Sequence, residues 1–218
     1  MMEQIIRSTL LSEGPSDRTL LQIIRLTLAA HVSPAILVAE PQRADEKRLP
    51  LRVKRDRGKW VRATVEEYPC ELLFAHRDAD GAGRPKRLEE IAEWDAAAAL
   101  PSAIGVTLVP VVPVRETEAW LLVEETAIRR AALNPNGTAP LNLPGPKRLE
   151  RLADPKSVLA ECLRIASGLS GARLRGFDVN KARGRVQLSD IGRLRALAAF
   201  AAFEQLVSSA CSARGWSA

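Results

Sequence analysis

The chain has 218 residues, of which 46% are apolar and 4% aromatic, and it carries a formal net charge of +6. That length and apolar content suffice for one sizeable core. So few aromatic residues do not support a base-stacking platform of the single-strand-binding type. Apolar runs are shorter than the roughly 18 residues a membrane-spanning helix needs, so no membrane contact is expected. Residues Met1 to Arg7 include charges and do not read as a leader. The three cysteines, Cys70, Cys162 and Cys211, are too widely spaced for a zinc pattern or a disulfide framework. They fit a reducing compartment, and a cytoplasmic location is expected. With only His31 and His76, a His-rich metal site is excluded. Any metal would be held by carboxylates, which favours magnesium or manganese.

In chain order, Ile5 to Ser12 reads as a first strand. Gly14-Pro15-Ser16-Asp17 opens a helix, with proline suited to the first helical position. Leu20, Ile23, Ile24 and Leu28 give that helix one apolar face. Pro34 to Ala39 is a second apolar strand. A basic tract follows, Arg43 to Arg62, with nine Lys/Arg against three Asp/Glu. Pro50 and Gly58 are expected to break any long helix there. Glu71 to Ala75 is a third strand. Pro85 starts another helix with Leu88, Ile91 and Ala92 inward, and Ala103 to Val114 is a fourth, near-continuous apolar strand. Glu116 to Ala132 reads as a helix. Asn134 to Pro146 reads as a loop. Lys147 to Gly168 looks mainly helical, with a helix starting at Asp154-Pro155-Lys156. Gly168 to Gly184 is expected to be irregular, and Ser189 to Ala210 to form a C-terminal helix. A second basic tract, Arg173 to Arg195, has seven Lys/Arg against two Asp/Glu.

Apolar strands alternating with helices argue for an α/β fold, a parallel sheet covered on both faces. The divisions expected are a catalytic domain over 1–133, a linker or loop over 134–150, and a helical extension over 151–218 packed on the domain. In such sheets the binding site lies outside the carboxyl ends of the strands. That rule brings Glu13, Asp78, Asp80 and the Arg115-Glu116 corner to one rim. Clustered carboxylates at strand ends need a counter-charge, and a divalent cation supplies one. Asp78 and Asp80 are two apart and, in an extended chain, would face the same side. Glu13 lies in a strand-to-helix turn. Asp17 reads as a cap that could reach a metal through water. In Glu116-Thr117-Glu118, a helical backbone would let only one carboxylate face the metal directly. Two basic tracts beside an acidic rim fit a polyanionic partner, DNA or RNA. His76 reads as a structural histidine.

The motifs Glu13-Gly14-Pro15-Ser16-Asp17 and Asp78-Ala79-Asp80-Gly81 resemble the Toprim superfamily of nucleases, maturases, primases and topoisomerases. The run Arg115-Glu116-Thr117-Glu118-Ala119-Trp120-Leu121-Leu122, followed by Asp154-Pro155-Lys156, is similar to a bacterial family within it. That family is related to the overcoming-lysogenization-defect nucleases and is often paired with an ATPase in phage-defence loci. The resemblance covers roughly Ile5 to Leu159. It implies a Rossmann-like four-stranded parallel sheet between helices, magnesium or manganese as cofactor, and phosphodiester cleavage. By the motif match, Glu13 would be the essential glutamate, as metal ligand or general acid/base. Asp78 and Asp80 would be metal ligands, and Glu116 or Glu118 would supply a second metal. Lys156 or Lys181 would stabilise the phosphate charge, with Lys86, Arg77 and Arg115 as further candidates. The only tyrosine, Tyr68, stands before the third strand, so topoisomerase chemistry is not expected. Two alternatives are a latent subunit that binds an ATPase or nucleic acid, and a haloacid-dehalogenase-type phosphatase. Against the latter, Asp78 follows the third strand, where that chemistry places its aspartate on the first.

Overall fold

A computed structural model describes residues 4–45, 47–49, 55–101 and 104–217. The architecture is α/β, with a parallel four-stranded sheet flanked by helices. The first strand runs as β1 (Ile5–Ile6) and β2 (Ser8–Leu11), and α1 (Thr19–His31) leads to β3 (Leu37–Val38) and β4 (Gln42–Arg43). Next come α2 (Arg57–Glu67), β5 (Leu72–His76), α3 (Arg84–Ala98) and β6 (Thr107–Val111). The sheet order is β4-β2-β5-β6, all parallel, and β1 pairs with β3 in the same sense.

Alternation along the strands separates two cores. Leu10, Leu72, Phe74, Val109 and Val111 face one side, with Leu20, Ile23, Ile24 and Leu28 of α1. Leu11, Leu73 and Ala75 face the other, with Trp60, Val61 and Val65 of α2 and Ile91 and Trp94 of α3. The chain thus moves from β2 to one neighbour across the first face, and to the opposite neighbour across the second. The order reverses between β2 and β5, which is where open α/β sheets form ligand crevices.

The C-terminal part of the chain, from Glu118 on, is helical: α4 (Glu118–Leu121), α5 (Glu125–Ala131), α6 (Pro146–Leu149), α7 (Pro155–Ser167), α8 (Gly171–Arg175), α9 (Val179–Arg183) and α10 (Ala198–Ala213). It shares its core with the first face of the sheet. Trp120 meets Phe200 at 5.3 Å and Phe203 at 5.8 Å between ring centroids, and Phe203 meets Phe74 of β5 at 6.0 Å. The Trp120–Phe200 and Phe74–Phe203 pairs are edge-to-face, and pairs of that kind contribute about 0.5–1.5 kcal/mol each beyond the area they bury. Asp154 caps α7 through Ser157 N–H at 2.8 Å. Between α5 and α7, residues 134–145 have no regular element, although Leu141 is buried.

Several boundaries differ from expectation. The second strand pairs at Leu37–Val38 and again at Gln42–Arg43, broken before Pro41, which has no N–H for the ladder. The fourth strand is regular only over Thr107–Val111; its expected start at Ala103 lies outside the described residues. Pro110 is accommodated because β6 is an edge strand. The Glu116–Ala132 helix is interrupted after Leu121, where the Glu124 carboxylate turns to accept from Ser189 N–H at 2.7 Å. Gly168 to Gly184 holds two short helices instead of irregular chain. The last helix begins only at Ala198.

Gly58 sits inside α2 instead of breaking it. A side chain there would meet the backbone of Ala97 at 2.6 Å, so glycine sets how closely α2 and α3 approach. Pro50, with the rest of 50–54, and Glu46 lie outside the described residues.

Candidate acidic cleft at the sheet switch point

Beyond the ends of β2 and β5 the chain forms a narrow cleft of about 60 Å³. Asp17, Asp78, Glu116, Thr117, Glu118, Lys156 and Arg183 line it. Register explains which strand-end residues reach it. Leu11 pairs with Ala75 across the ladder. The next positions in step are Ser12 with His76, then Glu13 with Arg77, on opposite faces of the rim.

His76, the last residue of β5, is 3% exposed and stands between two aspartates. Its Nε2 is 3.2 Å from Asp78 Oδ1, and its Nδ1 is 3.4 Å from Asp17 Oδ2. The Nδ1 contact is an ion pair without hydrogen-bond alignment. Burial alone would push the imidazole pKa down. The two carboxylates outweigh it and raise it to about 9, so His76 is an imidazolium at neutral pH. Burial likewise pushes Asp17 up, but His76 and the Gly14 N–H, at 3.1 Å, hold it below the usual carboxylate range.

Asp78 Oδ1 also accepts from Thr117 N–H at 2.9 Å and Thr117 Oγ1 at 3.3 Å. All three contacts fall on one oxygen, which leaves Oδ2 for a ligand. Glu118 is 8% exposed and pairs with Arg183 at 2.9 Å. Burial pushes its pKa up, against the opposing pull of Arg183. Glu116 is also raised, by burial and then by the charges of Glu118 and Asp78, and its buried Oε2 has no hydrogen-bond partner. His76 answers one charge of the Asp17 and Asp78 pair, and Arg183 answers Glu118. One aspartate charge and that of Glu116 are left without an ion-pair partner among the described residues, with Lys156 on the cleft wall.

The cleft thus gathers Asp17, Asp78, Glu116, Glu118 and Lys156 of the residues singled out in the sequence, and it omits Glu13, Asp80 and Lys181. Glu13 lies on the second-face side of the rim, 3.2 Å from Arg57 and 3.1 Å from Arg77. These arginines lie over Trp60 and Trp94. Asp80 does not share a side with Asp78, because β5 ends at His76 and the chain turns. Asp80 has a φ of 44°, and its carboxylate lies 4.0 Å from Arg87. Lys181 lines a neighbouring hollow. Glu116 and Glu118 both line the cleft, contrary to the expectation for a regular helix, because α4 begins only at Glu118 and Glu116 precedes it. Tyr68 is structural: its Oη accepts from Asp45 N–H at 3.1 Å.

Sequence reasoning read His76 only as a structural histidine and did not single out Arg183. The signal for His76 was its parity with Leu72 and Phe74, which aims it to the same face as Asp78. Arg183 gave no local signal, since it comes from the far end of the chain.

The donor set is all oxygen, as a hard divalent cation requires. Among the described residues no three Asp, Glu, His or Cys side chains stand close enough together to hold a metal ion as they are placed. Magnesium usually keeps several waters and takes only one or two protein carboxylates, so Asp78 and Glu116 fit that requirement. Among the described residues no helix is long and apolar enough to cross a membrane. Comparison of the chain with protein-family models, with curated proteins and with solved structures gave no match.

Proposed function

We propose that the chain is a magnesium- or manganese-dependent phosphodiesterase of the Toprim type, cleaving DNA or RNA as part of a bacterial defence system. The observation that carries this reading is the meeting of Asp17, Asp78, Glu116 and Glu118 with Lys156 and Arg183 in one cleft at the switch point, where one imidazolium serves two aspartates and Glu116 Oε2 has no partner. Glu116 and Glu118, both of raised pKa, beside that orphaned oxygen call for a cation. Asp78 Oδ2 and Glu116 Oε2 would hold it, with Glu118 within reach if Arg183 turns to substrate. The chemistry such a cation would supply when held there is Lewis-acid polarisation of a phosphoryl oxygen and a lowered pKa for water. Lys156 and Arg183 would neutralise the non-bridging phosphate oxygens. His76 and Thr117 would fix Asp78 by occupying Oδ1. Glu13, Asp80 and Lys181 would act, if at all, from outside the cleft.

Titration of Mn²⁺ into the chain by calorimetry tests the cation site. The wild type is expected to bind, and Asp78→Ala and Glu116→Gln are each expected to weaken binding by tenfold or more. Equal binding by all three proteins would sink this assignment. A second reading is favoured by the ion pairs that hold Glu13 against Arg57 and Arg77. In that reading the chain is a latent subunit whose site is completed on docking an ATPase partner. Cation binding that appears only in the complex would favour it.

A further inference from the structure

Beside the cleft, and sharing Ser16 and Arg183 with it, lies a hollow of about 550 Å³ lined by Arg18, Asn180, Lys181 and Arg185. We propose that this hollow binds the phosphate backbone of a single nucleic-acid strand and leads it into the cleft. The proposal rests on the hydrolytic reading of the cleft and adds the form of substrate it takes.

Four observations carry it. Arg18, Lys181 and Arg185 are exposed, and among the described residues none of them pairs with a carboxylate. The acid on the same element, Asp178, is already used: it caps α9 by accepting from Lys181 N–H at 2.9 Å. The cations therefore face solvent without an internal counter-charge, at the junction of two elements far apart in sequence. No apolar or aromatic residue lines the hollow: besides the cations it has Ser16 and Asn180 as hydrogen-bonding groups, and Gly184. Protein partners are held by aromatic or arginine anchors in desolvated pockets, whereas Arg18 and Arg185 face solvent and no aromatic residue lines the hollow. A chain of phosphates needs only cations and donors. Finally, the volume falls within the roughly 300–1,000 Å³ of sites that enclose a small-molecule-sized group. It accommodates a nucleotide or so of one strand. Arg183 links the two compartments. It lines both and holds Glu118, so a phosphate reaching it from the hollow stands at the mouth of the acidic cleft.

The test is fluorescence anisotropy of a labelled short single-stranded DNA with the full chain, in chelator and across a salt series. Wild type is compared with the triple variant Arg18→Ala/Lys181→Ala/Arg185→Ala and with Lys181→Ala alone. Each lost phosphate contact lowers the slope of log K against log salt by about 0.7 for a single strand. The triple variant is expected to lose about two units of slope and at least tenfold in affinity at low salt. The single variant is expected to lose about one-third of that slope, so the result stands even if the triple variant folds poorly. Unchanged affinity and slope in the variants would overturn the proposal, whether or not the wild type cleaves DNA. So would tighter binding of a blunt duplex, or of polyglutamate, than of the single strand. If the wild type binds, the variants lose binding, and no cleavage follows on adding Mg²⁺, the strand site stands and the hydrolytic reading fails.

Discussion

His76 allows two aspartates to stand at the mouth of a buried strand. Without its charge, Asp17 and Asp78 would lose their shared counter-ion. Its pKa is 6.5 when unperturbed and about 9 in the fold. A raised folded pKa gives stability that is complete below the unfolded value and is lost as pH rises through the folded one. In chelator, the wild type is therefore expected to be most stable below about pH 6.5 and to lose melting temperature towards about pH 9. His76→Asn is expected to melt lower at neutral pH and to lack that component of the decline. Parallel melting curves for the two proteins between those limits would contradict the assignment. The same residue shows what could be read beforehand. Asp78, Glu116, Glu118 and Lys156 were visible as strand-end or helix-start residues, and all four line the cleft. Glu13 was assigned to the same rim because sequence does not reveal register. Two residues past the last ladder pair, Leu11 with Ala75, it stands in step with Arg77 and turns to the arginine side.

At the scale of elements, close approach and capping decide how the layers hold. Gly58 is the contact point of α2 on α3, and Arg62 adds bonds to the Ala98 carbonyl at 2.6 and 3.2 Å, at the end of α3. Helix propensity alone would make Gly58→Ala stabilising by about 1 kcal/mol. The backbone clash reverses the sign, because overpacking costs typically about 1–3 kcal/mol. Thermal melting of Gly58→Ala should show a drop of a few degrees, and a rise would show that the two helices can part freely. Glu150 performs a similar service at a distance, since its carboxylate accepts from Ala198 N–H at 3.0 Å and Ala199 N–H at 2.7 Å at the start of α10. Glu150→Ala is expected to cost about 0.5–2 kcal/mol, as loss of a helix N-cap does, read as a lower denaturation midpoint. An unchanged midpoint would mean that water replaces the cap without loss. Neither feature was legible in the sequence. Gly58 looked like a helix breaker because its role depends on a neighbour about forty residues away in the chain. The Glu150 cap joins two segments whose proximity only the fold creates.

For the whole molecule, alternation of apolar strands and helices was enough to read a parallel α/β sheet with its rim at the strand ends, and the fold has that form. What pattern reading could not supply was the strand order, and the order determines where the crevice opens. Reversal between β2 and β5 brings Asp17 and Asp78 together. The helical C-terminal part, packed on the same face through Trp120, Phe200 and Phe203, then delivers Lys156 and Arg183. Lys156 and Arg183 from late in the chain thus meet Asp17 and Asp78 from early in it. The central claim is that this cleft uses a divalent cation to cleave a phosphodiester. Its most direct test is incubation of the full chain and of Asp78→Ala with labelled single-stranded DNA, plasmid and RNA, in Mg²⁺ or Mn²⁺ and in chelator. The expected result is cleavage by the wild type that needs the cation and falls at least a hundredfold in Asp78→Ala. Cleavage that persists in chelator, equal rates for the two proteins, or no cleavage of any substrate with cation present would contradict it.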